Sequence, residues 1–159
     1  TNTMHKVFPQ VQAALDIPVL HIADATALKI QEAGLDKIGL LGTIYTMEQD
    51  FYRGRLQEQY GLHVLIPDPT GREQVNRIIF DELVLGKIND ESREIYRQVM
   101  GNLVEMGAQG IILGCTEIPL IVDAQDFDLP LFDTTYLHAE MAVEIALGEK
   151  ALDTSMIVD

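Results

Sequence analysis

Cysteine occurs once in this chain of 159 residues, at position 115. A lone thiol cannot form an internal disulfide or a multi-cysteine metal site. It fits a reducing compartment, so a cytoplasmic protein is expected. Basic residues are also scarce: 11 Lys and Arg stand against 25 Asp and Glu, a net charge of −14. Such a field repels nucleic-acid phosphates and anionic membrane surfaces, so neither is expected as a partner. No apolar run is long enough to span a bilayer. The four histidines are scattered and share no ligand spacing, so no metal is expected. "GLLGT" at 39–43 lacks the spacing of a dinucleotide or P-loop fingerprint. Low-complexity segments are missing, and only "DTSMIVD" (153–159) reads as a loose tail. An initial Met is absent too. The chain opens "TNTMHKV", a polar triplet set directly before a helical pattern, and residues upstream of it are expected.

What is present is a good supply of apolar residues, 47% of the chain, enough for the core of one or two compact domains. Short aliphatic runs at 19–23, 37–42, 63–67, 110–114 and 130–133 are bounded by Gly, Pro or Asp and read as strands. Between them lie helical patterns at roughly 4–15, 24–33, 46–60, 71–86, 90–106 and 135–147. Ile95, Val99 and Leu103 repeat at i, i+4 and i+8, as do Leu137, Met141 and Ile145. Asn89 or Asp90 can cap the first of these helices and Gly107 can end it. Alternating strands and helices predict an α/β fold whose parallel sheet is covered on both faces.

In such sheets ligands bind beyond the carboxyl ends of the strands. Four strand-to-helix junctions carry threonine there: "TNTMH" (1–5), "LLGTIYT" (40–46), "IILGCTEIP" (111–119) and "LFDTTYLH" (131–138). Each is either an ordinary helix cap or part of one shared anion-binding cleft. Cys115 ends the apolar run "GIILG" just before an expected helix start, with Pro119 in its first turn. A helix dipole there would lower the thiol pKa and enlarge the thiolate fraction, while a carboxylate on Glu117 would oppose this. The other reading of Cys115 is a buried structural thiol. Lys87 ends "ELVLGK", where it either complements a helix C-terminus or reaches a cleft. His5 and His138 each follow a threonine junction within one turn, as proton relays or as caps. His21 and His63 fall in the expected strands. Arg53 and Arg55, in "DFYRGRLQEQYG", are expected on a helix facing solvent or a partner subunit.

Together, "GCTEIPL" around Cys115, "LLGT-x-YTM-x-x-DFY" upstream and "FDTT-x-LHA" downstream resemble the aspartate/glutamate racemase family over residues 1–148. The resemblance implies two similar α/β domains facing one cleft, with no pyridoxal phosphate or other cofactor. It implies an amino-acid isomerase that moves a proton between the two faces of Cα, one residue from each domain acting on each side. The family's first motif resembles Cys-Asn-Thr-x-His, and the matching stretch here is Thr1-Asn2-Thr3-Met4-His5. Thr1 therefore stands where the first catalytic cysteine usually stands, and a hydroxyl is a poor base near neutral pH. Cys115 is then expected as the base, with the L substrate favoured. By the same resemblance Asn2, Thr3, Thr43, Thr116 and Lys87 would bind substrate carboxylates; His5, Glu117 and His138, from their own positions, are expected as auxiliary groups. Ile44 stands where relatives often carry a basic or polar residue.

The implied organisation is residues 1–15 as a remnant of an incomplete first domain, 16–129 as the second domain, and 130–159 as a segment returning to the first, followed by the tail. A small amino-acid substrate and a homodimer are the implied partners. The alternatives are a related single-cysteine isomerase or decarboxylase of small dicarboxylates, and a non-catalytic carboxylate-binding module.

Overall fold

The computed structural model describes residues 1–123 and 127–151; the expected tail at 153–159 lies outside the described residues. Strand β1 (Lys37–Gly42) lies centrally in a four-stranded parallel sheet. It pairs with β2 (His63–Leu65) on one side and β3 (Ile111–Gly114) on the other, and β3 pairs with β4 (Leu131–Asp133). The order is thus β2-β1-β3-β4. Residues 38–42 are all buried, with no alternation, because helices cover both faces of the sheet. The parallel-sheet α/β architecture read from the sequence is the one observed.

The helices follow from their apolar stripes. In α6 (Asp90–Glu105), Tyr96, Val99, Met100 and Leu103 form the buried face. In α5 (Pro69–Asp81) the buried face is Val75, Ile78 and Ile79, and Asp68 caps the start by accepting from the Gly71 N–H. These two helices pack together, as do α2 (Ile22–Glu32) and α7 (Thr134–Ala146). Short α3 (Ile44–Glu48) and α4 (Arg53–Tyr60) link β1 to β2. The N-terminal segment is a 3₁₀ turn, Thr3–Val7, running into α1 (Phe8–Ala13). Pro9 sits in the first turn of α1, where its missing N–H is tolerated.

Several expected elements differ. Residues 19–23 are not a strand: 19–21 are unpaired, and His21 caps α2 by accepting the Ala23 N–H at Nδ1, 3.1 Å away. That cap and the buried face of Ile22, Ala23, Ala27 and Ile30 outweigh the strand propensity of the run. The helix expected at 46–60 is two helices. Gln49 is extended (ψ 149°), and Tyr52 drops fully into the core between them. The helix expected at 71–86 stops at Asp81, with a 3₁₀ turn (Leu83–Leu85) and left-handed Gly86 after it. Arg55 does not face solvent. Its Nε and Nη2 donate to the two carboxylate oxygens of Asp24 at 2.6 and 2.9 Å, in a nearly buried pair. Residues 130–133, expected in a return segment, hydrogen-bond to β3 and so belong to the same sheet as β1 and β2.

Two glycines shape the sheet's carboxyl end. Gly42 and Gly114 are cross-strand partners. A Cβ on Gly42 would come 2.9 Å from the Gly114 carbonyl oxygen, and one on Gly114 would come 2.6 Å from that of Leu41. Side chains are excluded there. The chain leaves β1 and β3 side by side, at Thr43 and Cys115.

Candidate active site

A cavity of ≈ 350 Å³ lies where β1 and β3 end. Three chain segments meet there: Thr1 to Thr3, Thr43, and Gly114 to Glu117. An apolar wall of Tyr45, Ile79, Phe80 and Val84 completes the lining. Thr43 and Gly114 to Glu117 come together because a parallel sheet aligns its strand ends on one edge, and hydrogen bonds from Asn2 to Thr134 and between Thr3 and Thr43 hold the N-terminal segment beside them.

The cysteine sits half-buried on this edge. Its thiol donates to Glu117 Oε2 at 2.9 Å, and the Thr116 hydroxyl donates to the same oxygen at 2.7 Å. Burial, and then the hydrogen bond to Glu117, push the Cys115 thiol up to about 12 from its ordinary value near 9. Burial works against the Glu117 charge, but the hydrogen bonds from Cys115 and Thr116 outweigh it and hold the carboxyl below its usual range. The resting pair is therefore a thiol and a carboxylate. This overturns the expected thiolate. No α-helix starts at Cys115; a three-residue 3₁₀ turn, Ile118–Leu120, follows it, too short to build a macrodipole.

Facing it are hydroxyls. Thr3, Thr43 and Thr46 form a triangle, with oxygens 3.2 Å (Thr3–Thr43), 3.4 Å (Thr3–Thr46) and 3.2 Å (Thr43–Thr46) apart. Thr43 also caps α3 by accepting the Thr46 N–H. Asn2 is buried and tied down from behind. Its Nδ2 donates to Thr134 Oγ1 at 2.9 Å, and that hydroxyl donates to the Leu113 carbonyl at 2.9 Å. Because Thr134 spends its proton on a carbonyl, it can only accept from Asn2, which fixes the amide orientation. Asn2 Oδ1 is left buried without a hydrogen-bond partner.

The structure thus brings together Thr1, Asn2, Thr3, Thr43, Cys115, Thr116 and Glu117 around one cavity. Lys87 is not among the lining residues. It is exposed, just past Gly86, and its N–H bonds the Glu82 carbonyl. His5 lines an adjoining cavity of ≈ 170 Å³ with Thr1, Met4, Phe8, Val11 and Val19. His138 lies behind His5, its Nε2 donating to the Leu20 carbonyl at 3.2 Å. The His5 ring centre is 4.6 Å from that of His21 and 5.6 Å from that of His138. Burial lowers the pKa of all three, His21 to about 2. Thr46 and Thr134 were not read from sequence as site residues. Both occur within threonine junctions, but nothing local says which hydroxyl points inward. Among the described residues, no lysine or arginine lines the cavity and no cluster of His, Cys, Asp and Glu could hold a metal. No helix among them is long and apolar enough to cross a membrane.

This fold and site define a class: a parallel α/β unit that presents a single thiol, a carboxylate bonded to it and a ring of hydroxyls at adjacent strand ends. Residues 1–142 match the Asp/Glu/Hydantoin racemase family, and the chain belongs to that family. A solved structure from Yersinia pestis, assigned as a candidate Asp/Glu racemase, is 60% identical with a TM-score of 0.89; the match covers 92% of this chain and 64% of that one. An aspartate racemase homologue from Pyrococcus horikoshii OT3 is 39% identical with a TM-score of 0.82, over the same shares. The broad specificity amino-acid racemase RacX of Bacillus subtilis is 25% identical over 147 residues, 92% of this chain and 63% of RacX. The chain thus spans somewhat less than two-thirds of the length of these relatives.

Proposed function

We propose that this chain carries the Cys115 side of an amino-acid racemase that acts on aspartate or glutamate by 1,1-proton transfer, without a cofactor. The observation that supports it most is the joint lining of one cavity by Thr1, Cys115 and Glu117. At rest the sulfur is protonated. A bound substrate brings an ammonium group beside it, which favours the thiolate, and Glu117 is placed to take the thiol proton. The thiolate then removes the α-proton, and the electron pair passes into the α-carboxylate. Hydroxyls of Thr3 and Thr43 would donate to the carboxylate oxygens as their charge grows, joined by that of Thr116 once it leaves Glu117. The Thr1 hydroxyl returns a proton to the opposite face; it takes a proton back from solvent while Glu117 gives its own up to solvent, so the resting state is restored. Asn2 is better suited to the ammonium than to a carboxylate, because its free atom is the acceptor Oδ1. Lys87 would pair with the distal carboxylate only after the 83–88 segment moves it towards the cavity. Residues 1–15 would belong with the half of the site that faces this one, and a homodimer remains part of the proposal.

A hydroxyl at position 1 is a weak base, so the two faces work unequally. Deuterium enters through Cys115 faster than inversion completes through Thr1, with the L substrate favoured. The same inequality favours a second reading, a one-sided enzyme that isomerises or decarboxylates small dicarboxylates. Incubating the full-length protein with L-aspartate and L-glutamate in deuterated water separates the two. Deuterium at Cα together with the D enantiomer supports racemisation, and its loss in Cys115→Ser assigns the base. No α-exchange in the parent protein rules racemisation out. Carbon dioxide release or double-bond isomerisation of a dicarboxylate, without inversion of an amino acid, establishes the second reading.

A further inference from the structure

We propose that His5 is a positioning residue for Thr1: as a single neutral tautomer, it ties the main chain of residue 1 to the first turn of α2, and so sets the Thr1 hydroxyl opposite Cys115. This rests on the reading of Thr1 as the proton donor of one face. Both ring nitrogens are committed. Nδ1 lies 3.0 Å from the Thr1 carbonyl oxygen, which can only accept, so Nδ1 carries the proton. Nε2 lies 3.2 Å from the Ile22 nitrogen, whose N–H can only donate, so Nε2 keeps its lone pair. No other neutral or charged form of the ring satisfies both bonds. Asn2 is fixed through Thr134 and Thr3 through Thr43, and His5 supplies a hydrogen bond that reaches residue 1.

The surroundings keep the ring neutral. His21, capping α2, and His138, from α7, flank it, and Arg55 of α4 stands 5.4 Å from the Phe8 ring that stacks beside it. Asp24, the one acid in this group, is bound to Arg55. Protonation would turn Nε2 into a donor, end the bond from Ile22 and direct the ring towards the Leu20 carbonyl. Burial lowers the His5 pKa, so this happens only below the ordinary histidine range near 6.5.

The test uses the full-length protein and two readouts. The first is the ratio of inversion to α-deuterium exchange, which a loss of folded enzyme leaves unchanged. His5→Gln keeps an acceptor near Nε2 but loses the donor to Thr1, and is expected to lower the ratio at least tenfold while exchange at Cys115 persists. His5→Asn keeps a donor near Nδ1 and is expected to recover most of the ratio. It also removes the fall in the ratio that the parent shows below pH 6.5. Equal ratios in the parent and His5→Gln overturn the proposal. The second readout is ¹⁵N NMR of the ring, where a single Nδ1–H tautomer at pH 7.5 is expected and an Nε2–H tautomer overturns it. If the parent exchanges no deuterium, the racemase reading fails by itself. Positioning is then judged by the Asn2 and Thr3 amide signals, which must move in His5→Gln and stay near the parent's in His5→Asn; identical shifts in the two variants overturn it.

Discussion

A sulfur that donates to a carboxylate is poised as an acid, and only a change in its surroundings makes it a base. In Cys115 two causes hold the proton on: burial first, then Glu117. Glu117→Gln removes the second while leaving a side chain of the same shape, so the thiol pKa falls towards its ordinary value. Each unit of fall raises the thiolate fraction at pH 8 by about tenfold. The expected outcome is much faster alkylation of the variant by iodoacetamide at pH 8 and, on the proposed mechanism, a slower racemisation because the acceptor for the thiol proton is gone. A parent thiol that already alkylates with a midpoint near 9 would contradict the geometry. The members of this pair were legible in the sequence because they are neighbours within "CTE". Their protonation was not. It depends on a helix that the sequence pattern suggested and that Pro119 and the 3₁₀ turn replace.

At the scale of elements, the N-terminal segment is held to the sheet by side chains far away in sequence. Asn2 and Thr134 are 132 residues apart, and Thr3 and Thr46 are 43 apart, so no local pattern could have paired them. The four threonine junctions were legible as a set, three of them at strand ends and one ahead of the N-terminal 3₁₀ turn. What they do once assembled was not, because that follows from strand order. Thr134 is the tightest of these links, with 0% exposure and both hydrogen-bonding roles used. Thr134→Val preserves its shape but strands the Asn2 amide. Leaving buried polar groups unpaired costs about 1–3 kcal/mol. Urea unfolding should show that loss for Thr134→Val and little for Thr134→Ser. Equal midpoints for Val and Ser would mean that Asn2 finds another partner. Residues 19–23 teach the same lesson in reverse. Their composition suits a strand, but the His21 ring offers the backbone a cap and no neighbouring strand among the described residues offers a ladder.

Over the whole molecule, a net charge of −14 and a histidine cluster centred on buried His21 pull in different directions as pH falls. Self-repulsion among exposed carboxylates is long-ranged and is screened by salt. The histidine cluster is neutral, inward and local. His21 is 3% exposed, and burial, with His5 and Arg55 nearby, lowers its pKa from 6.5 to about 2. The unfolded chain therefore binds a proton below pH 6.5 that the folded chain refuses. Stability is fully present above that value and falls as pH drops from 6.5 towards 2, by about 1.4 kcal/mol per pH unit for this one group. His21→Asn keeps an acceptor for the Ala23 N–H and removes the titration. Unfolding free energies at pH 7.5, 6 and 5 should decline in the parent and decline less steeply in the variant. The difference in slope should approach one proton. Added salt should raise both curves by screening the surface charge and leave the difference between them intact, because a buried imidazole is poorly screened. If salt erased that difference, the extra pH dependence of the parent would not come from a buried imidazole, and the N-terminal segment would owe nothing to a neutral His21.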